Sequence, residues 1–211
     1  VTISKANKRS TVHRRVPLDV IAVKVFDKKG TVTGEMMFIG LFTSVTYSRS
    51  IQDIPFLRYK VNEVLESTGY GINSHNHRAL MHILEKYPRD ELFQIDTKTL
   101  KNYAISIMAL QEQPKVALYV REDLFKRYIS CLVYIPREKY ETDLRVSVQN
   151  ILENEFGGSC EAFYTVLDDS PLARVIYTLQ IEENDANKKY NFKKIFQTNM
   201  TVLHIYFVVV V

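Results

Sequence analysis

The sequence predicts an α+β fold, and three observations carry that reading. Apolar residues alternate with polar ones in several short runs, the period of half-buried strands. Between these runs lie longer segments whose apolar residues recur at i, i+3, i+4 and i+7, the period of amphipathic helices. Proline and glycine fall at the joins between the two patterns, where a change of backbone conformation is needed.

In chain order, residues 1–16 read as a basic N-terminal arm, with Lys5, Lys8, Arg9, Arg14 and Arg15 and no acid among them. Pro17 to Phe26 is β-rich, Asp27-Lys28-Lys29-Gly30 turns, and Gly34 to Thr43 is β-rich again, which predicts a hairpin. After Pro55 the period becomes helical through Phe56, Leu57, Val61, Val64 and Leu65, with Asp53 as the expected cap. A second helix is expected from Ser74 to Tyr87, ended by Pro88. Asp96-Thr97 opens a third, whose stripe is Leu100, Tyr103, Ala104, Ile107 and Met108.

From Val116 the pattern runs strand, strand, helix, strand, strand. Val116, Leu118 and Val120 alternate, as do Ile129, Cys131, Val133 and Ile135. Leu144, Val148, Ile151, Leu152 and Phe156 are helical and stop at Gly157-Gly158. Cys160, Ala162, Tyr164 and Val166 alternate, Asp168-Asp169-Ser170-Pro171 turns, and Val175, Tyr177, Leu179 and Ile181 alternate last. If Leu92 to Ile95 is a short leading strand, Leu92 to Val166 spells β-α-β-β-α-β, the split unit of ferredoxin-like folds. Both helices would then cover one face of the sheet. The domains follow: residues 1–16 the arm, 17–95 the hairpin plus helical segment, 96–182 an α/β sandwich, 183–211 a polar linker and apolar tail.

A chain of 211 residues with 46% apolar and 25% charged residues is long enough to bury a sizeable core, which excludes disorder of the whole. The net charge of +4 is modest. The basic arm lacks interleaved aromatic residues, so it reads as solvated rather than as a base-stacking platform. No apolar core follows it, so no signal peptide is expected. The apolar tail Thr201 to Val211 is shorter than the roughly 20 residues a membrane helix needs. Left exposed, Tyr206 to Val211 would be an aggregation hazard. No membrane or nucleic-acid partner is expected, and a cytoplasmic location is the default. The chain opens on valine, which reads as part of a longer protein.

No constellation carries chemistry convincingly, and no catalytic, cofactor-binding or metal residue is assigned. His75, His77 and His82 are poorly spaced for a shared metal, since none lies i+4 from another on a helix, although Glu85 lies nearby. Thr43, Ser44, Thr46, Tyr47, Ser48, Arg49 and Ser50 form a hydroxyl-rich stretch with an arginine. It reads either as a cradle for a phosphate or carboxylate or as a plain loop. Cys131 and Cys160 sit at apparent core positions, unsuited to reactive thiols. Gly69-Tyr70-Gly71 follows a helix and has Ser74 where a dinucleotide fingerprint wants glycine. Asp168 and Asp169 suit a turn better than an acid/base pair. Tyr119, Tyr128, Tyr134, Tyr164 and Tyr177 lie on expected strands, but the glycine-aromatic strand motif of RNA-stacking sheets is missing.

Several strings are long and of low degeneracy: V-H-R-R-V-P-L-D-V from Val12, G-L-F-T-S from Gly40, Y-S-R-S from Tyr47, Y-P-R-D-E-L-F-Q-I from Tyr87 and D-S-P-L-A-R from Asp169. Together they resemble the N-terminal regulatory part of the large NAD-specific glutamate dehydrogenases of bacteria, over about Val12 to Leu179. The resemblance implies an ACT-like domain, a parent reaction of oxidative L-glutamate deamination to 2-oxoglutarate with NAD, and other domains or subunits of that enzyme as partners. A homo-oligomer is left open. No position here matches the family's catalytic or NAD-binding residues, so the chain is expected to be a non-catalytic regulatory or scaffolding fragment, with no cofactor of its own. The alternative is a free-standing ACT-type amino-acid-sensing module. In ACT domains the ligand often binds near a glycine after the first strand; here that place is Asp96-Thr97, without glycine. After about Ile181 the likeness fades, as a decayed or frameshifted gene end would make it.

Overall fold

The structure, a computed structural model, describes residues 1–12 and 14–181 and the backbone of 207–210. The linker expected from residue 183 and most of the apolar tail lie outside the described residues. The chain forms two compact units, Val1–Leu100 and Lys101–Val211.

The first unit begins with an antiparallel sheet of three strands, β1 (Thr2–Arg9), β2 (Pro17–Phe26) and β3 (Val32–Gly40), in that order. The expected hairpin is β2–β3, with Ile21 opposite Phe38 and Lys24 opposite Glu35. Its turn has Gly30 at φ 80°, a left-handed conformation that glycine adopts without strain. The basic stretch is not a solvated arm throughout, because Thr2–Arg9 pairs with β2 and places Lys5 opposite Asp19.

Four helices follow: α1 (Ser44–Ser48), α2 (Pro55–Ser67), α3 (His75–Lys86) and α4 (Arg89–Gln94). α2 is not capped by Asp53. Its N-cap is Ile54, which makes no side-chain cap bond, and Asp53 ends a 3-10 turn, Ile51–Asp53. Proline at the first turn compensates, since its missing N–H is one the helix leaves unpaired there anyway. Ser74 caps α3, accepting from the His77 N–H at 3.2 Å. Leu57, Val61, Val64, Leu80, Leu84, Leu92 and Ile51 are fully buried between these elements. The Phe42 and Phe93 rings stack at 4.6 Å.

The leading strand expected at residues 92–95 is not a strand. Leu92 to Gln94 close α4. Short apolar runs do not distinguish a strand from a buried helical turn, and here Pro88 and the acids Asp90 and Glu91 at the helix start decide for the helix. α5 (Thr97–Glu112) then crosses from the first unit to the second, with Asp96 Oδ1 accepting from the Thr99 N–H at 2.9 Å.

The second unit holds β4 (Val116–Glu122), β5 (Tyr128–Pro136), α6 (Thr142–Phe156), β6 (Gly158–Val166) and β7 (Leu172–Ile181). The sheet order is β6-β7-β5-β4, all antiparallel, with β8 (Phe207–Val210) parallel to β4 at the edge. The ACT-like α+β class holds, and the central place that the missing leading strand would fill is taken by β7. The result is a cyclic permutation of the ferredoxin-like order. The apolar end Phe207–Val210 is paired along one side, to β4, and is itself the edge strand.

The two helices do not share a face. α6 buries Leu144, Val148, Leu152 and Phe156 against Leu118, Cys131, Val133, Val175 and Tyr177. Each of these buried side chains is worth roughly 1.5–3 kcal/mol relative to exposure. Across the sheet, Tyr119 donates to Ser106 Oγ at 2.9 Å and the Tyr103 ring lies 4.9 Å from it, so α5 lies against the opposite face. The reason is in β4 and β5, whose V-A-L-Y-V and I-S-C-L-V-Y-I runs are apolar on both sides and require cover on both.

Gly157 ends α6 at φ 65°, the left-handed cap conformation. At the next residue a Cβ would be driven into the Gln180 carbonyl oxygen and lie 2.8 Å from Ile181 Cδ1. Gly158→Ala is therefore expected to lower stability by about 1–3 kcal/mol, whereas Gly34→Ala, with open space around its Cβ, lowers it only slightly. Urea denaturation of the two variants checks the difference.

Candidate functional site

Polar chemistry in the first unit gathers at three places. The hydroxyl-rich stretch leads to the first. Ser50 accepts from the Gln52 N–H at 3.3 Å and donates to Glu85 Oε2 at 3.2 Å. The Ile51 N–H also points at the Glu85 carboxylate, 3.2 Å from Oε2. Arg89, four residues on and nearly buried, donates to Glu85 Oε1 at 2.7 Å and to the Arg49 carbonyl at 3.1 Å. A hydroxyl, a backbone N–H and a guanidinium thus converge on one carboxylate. This is the donor set expected of an anion cradle, and the chain's own Glu85 fills it. Arg49 contributes only its carbonyl to this set, and Ser48 donates weakly to the Val45 carbonyl at 3.4 Å.

The second cluster joins the sheet to α1 and α4. Lys5 pairs with Asp19 at 2.5 Å and reaches Asp90 at 3.9 Å. Asp90 accepts from the Tyr47 hydroxyl at 2.8 Å, and Tyr47 in turn accepts from Arg14 at 3.2 Å. Burial favours neutral Lys5, but Asp90, Asp19 and Glu91 outweigh it and raise its pKa above the usual lysine range. Burial also raises the Asp19 carboxyl, and Lys5 offsets this only in part because Asp90 adds repulsion. The two directions agree, since one ammonium serves an excess of carboxylates. Burial and then Asp90 push the Tyr47 phenol well up, so it is a donor at all ordinary pH.

Lys60 of α2 is a third polar device. Its ammonium donates to the Leu92, Phe93 and Ile95 carbonyls at 2.8, 3.1 and 2.7 Å. These are carbonyls that the C-terminal end of α4 leaves unpaired.

In the second unit, Pro114, Pro136, Arg137, Glu138 and Pro171 line an open cleft of about 460 Å³ at one end of the sheet. Arg137 donates its N–H to the Pro171 carbonyl at 2.9 Å and its guanidinium to the Asp168 carbonyl. The Asp168–Pro171 segment is a turn, in which Asp168 Oδ1 accepts from the Ser170 N–H at 3.0 Å. Along α6, Arg145 donates to Gln149, Gln149 to Glu153, and Glu153 accepts from the Cys160 N–H at 2.8 Å. Arg145 also lies 4.1 Å over the Phe163 ring.

The other sequence candidates are not brought together. His75 and His82 are exposed on α3 and His77 is half-buried. Among the described residues no three His, Cys, Asp or Glu side chains lie close enough to hold a metal ion. Cys131 is buried, and Cys160 is half-buried with its thiol pushed up by burial and by Glu153. Gly69 (φ 69°) lies in the turn after α2. Tyr177 is on the α6 side of the sheet and donates to the Arg145 carbonyl at 3.0 Å, while Tyr119 and Tyr134 meet edge-to-face at 5.8 Å on the other. Both of the latter are buried, as is Tyr128. Asp96 is spent as a cap, its carboxyl lowered because backbone bonds from Thr99 and its neighbours overcome desolvation. With β7 in the first-strand place, the position after that strand falls past Ile181, outside the described residues. Lys5, Asp19, Lys60 and Arg89 were missed as a group. The available signal was Asp19, a lone acid inside an apolar strand.

Two family profiles match the chain: "Glutamate dehydrogenase, helical motif 1" over residues 54–113 and "Glutamate dehydrogenase, ACT2 domain" over residues 117–203. The NAD-specific glutamate dehydrogenase of Halomonas elongata is 36% identical over 92% of this chain and 12% of its own length. That of Pseudomonas aeruginosa is 37% identical over 86% of this chain and 11% of its own length. That of Mycobacterium tuberculosis is 31% identical over 71% and 9%. The chain therefore spans about a tenth of the length of these relatives. No solved structure matches it.

The Lys5 cluster makes a signed prediction. A lysine whose pKa is raised in the fold stabilises it fully below the unfolded value of 10.5, and that contribution is lost as pH rises through the folded value. Lys5→Met is expected to cost about 2–4 kcal/mol at about pH 8, because Asp19 is left buried without its partner. The gap between wild type and variant stays constant to about pH 10 and closes above it. Urea denaturation of both proteins across that range is the check.

Proposed function

We propose, on the premise that this chain belongs to the NAD-specific glutamate dehydrogenase family, that it is a non-catalytic regulatory or scaffolding segment of such an enzyme. The observation that carries this is the fate of its polar groups. Glu85, Arg89, Lys60, Asp90 and Asp96 are spent on backbone and side-chain partners that fix helix ends and loops. The glycine pattern that cradles a pyrophosphate is missing from the sequence. Under this reading the longer polypeptide deaminates L-glutamate oxidatively to 2-oxoglutarate with NAD, and residues elsewhere in it bind both. The described residues 96–181 act as one ACT-like domain, and the partners are other domains or subunits of the same cytoplasmic enzyme. Nucleic acid has no part in it.

A second reading, an amino-acid-sensing module, is favoured by one feature. The cleft at the end of the second sheet offers Arg137 for a carboxylate and Glu138 for an ammonium group.

Two measurements separate these. The purified chain is expected to give no glutamate-dependent NAD reduction and no calorimetric heat with NAD; clear turnover would refute the segment reading. Sensing predicts stabilisation by about 2.7 kcal/mol when an amino acid is present at about a hundred times its Kd. No thermal shift with any of the common amino acids, or a shift that survives Arg137→Ala, removes the second reading.

A further inference from the structure

We infer that the β2–β3 hairpin is a docking element for another segment of the same long polypeptide, seated along the β3 edge and over both faces of the hairpin. The inference rests on the family placement above. Every residue of β3 is exposed, and it is the edge strand of its sheet. Met36, Met37, Phe38 and Ile39 follow one another in sequence and are exposed by 56%, 62%, 55% and 58%. Successive side chains of a strand point to opposite faces, so this apolar surface is two-sided. Phe26 and Val32, opposite each other at the far end of the hairpin, extend it at 57% and 47% exposure.

A half-exposed strand alternates apolar and polar residues, whereas a continuous apolar run belongs to a strand covered on both faces. Soluble surfaces rarely leave such a patch bare, and edge strands are ordinarily protected by charge, proline or a covering element. Between Val32 and Gly40 the one charged residue is Glu35. Nothing among the described residues of the first unit supplies that cover.

The geometry selects the occupant. A second copy paired edge-to-edge through β3 leaves both faces bare, and one stacked face-to-face covers a single face. Cover on the edge and both faces needs several strands or helices contributed together. About nine-tenths of the length of the relatives lies outside the matching segment, which is ample chain. Main-chain pairing along the edge gives affinity, and methionine on both faces adapts to the packing offered.

The test grafts this chain in place of the matching segment of the Pseudomonas aeruginosa enzyme and follows amide hydrogen exchange. The peptide carrying Met36 to Ile39 is expected to exchange fast in the isolated chain and at least ~100-fold more slowly in the assembled graft. Met37→Lys with Ile39→Lys on one face, or Met36→Lys with Phe38→Lys on the other, is expected to restore fast exchange there. Equal, fast exchange in an active graft overturns the docking inference and leaves the family reading intact. Protection in the isolated chain that rises with concentration, alongside a dimer by light scattering, assigns the hairpin to a second copy and also overturns it. A graft that neither assembles nor turns over removes the proposed role as a segment of such an enzyme, and the inference falls with it.

Discussion

The second unit depends on one constraint, the burial of β7 between β5 and β6. Its Val175, Tyr177 and Leu179 are fully buried against α6, and its backbone pairs on both sides over nearly its whole length. Without it, β6 has no partner in the sheet and α6 loses the centre of the surface it packs on. A strand far along the chain must therefore arrive before the sheet can close: its pairing with β6 is a local hairpin, but its pairing with β5 spans the whole of α6 and β6 and is non-local. Gly158 reflects the same constraint from the other side. The chain leaves α6 and enters β6 so close to the end of β7 that no side chain fits between them.

The first unit is held by a different interaction. Its sheet and its helices are tied by ions removed from water, chiefly Lys5 with Asp19 and Asp90. Such a knot contributes less net stability than an apolar contact of equal size, because desolvation offsets much of the attraction. What it supplies is geometry. Tyr47 donates to Asp90 and accepts from Arg14, so α1, α4, β1 and the segment before β2 meet through charge-assisted hydrogen bonds. Lys60 and the Glu85–Arg89 pair repeat the device at the end of α4 and at the 3-10 turn.

Most of the second unit was legible because its periodicities are clean. Val116 to Val120 and Ile129 to Ile135 alternate, and Leu144 to Phe156 follow a helical stripe that stops at glycine. What could not be read was placement. Nothing in a one-dimensional pattern says that β7, last of its run, sits in the middle of the sheet, and the two-sided apolar runs of β4 and β5 ask for cover on both faces without saying which helix supplies it. The run Leu92 to Ile95 was ambiguous because it is apolar and short, and its helical state depends on the acids at the start of α4 and on Lys60, more than thirty residues earlier. The polar clusters were illegible for a related reason. Each is assembled from residues distant in sequence, and only Asp19 stands out locally as a charge in an apolar strand.

These clusters also bear on what the segment is for. A reacting group needs a free lone pair or proton aimed at open space, with a pKa matched to its task. Here Glu85 has its oxygens occupied by Ser50, Ile51 and Arg89. Lys60 has an ammonium bound to three carbonyls, Asp96 is bound to its own helix, and Tyr47 is held neutral between Arg14 and Asp90. Groups that would be expensive to bury alone are retained in pairs whose common product is a fixed arrangement of helices. The hairpin carries the opposite chemistry, a bare apolar strand with little charge to keep it in water. On the role proposed above, a body that spends its polar groups internally and leaves its apolar groups outside is one held by, and holding, the rest of a larger protein.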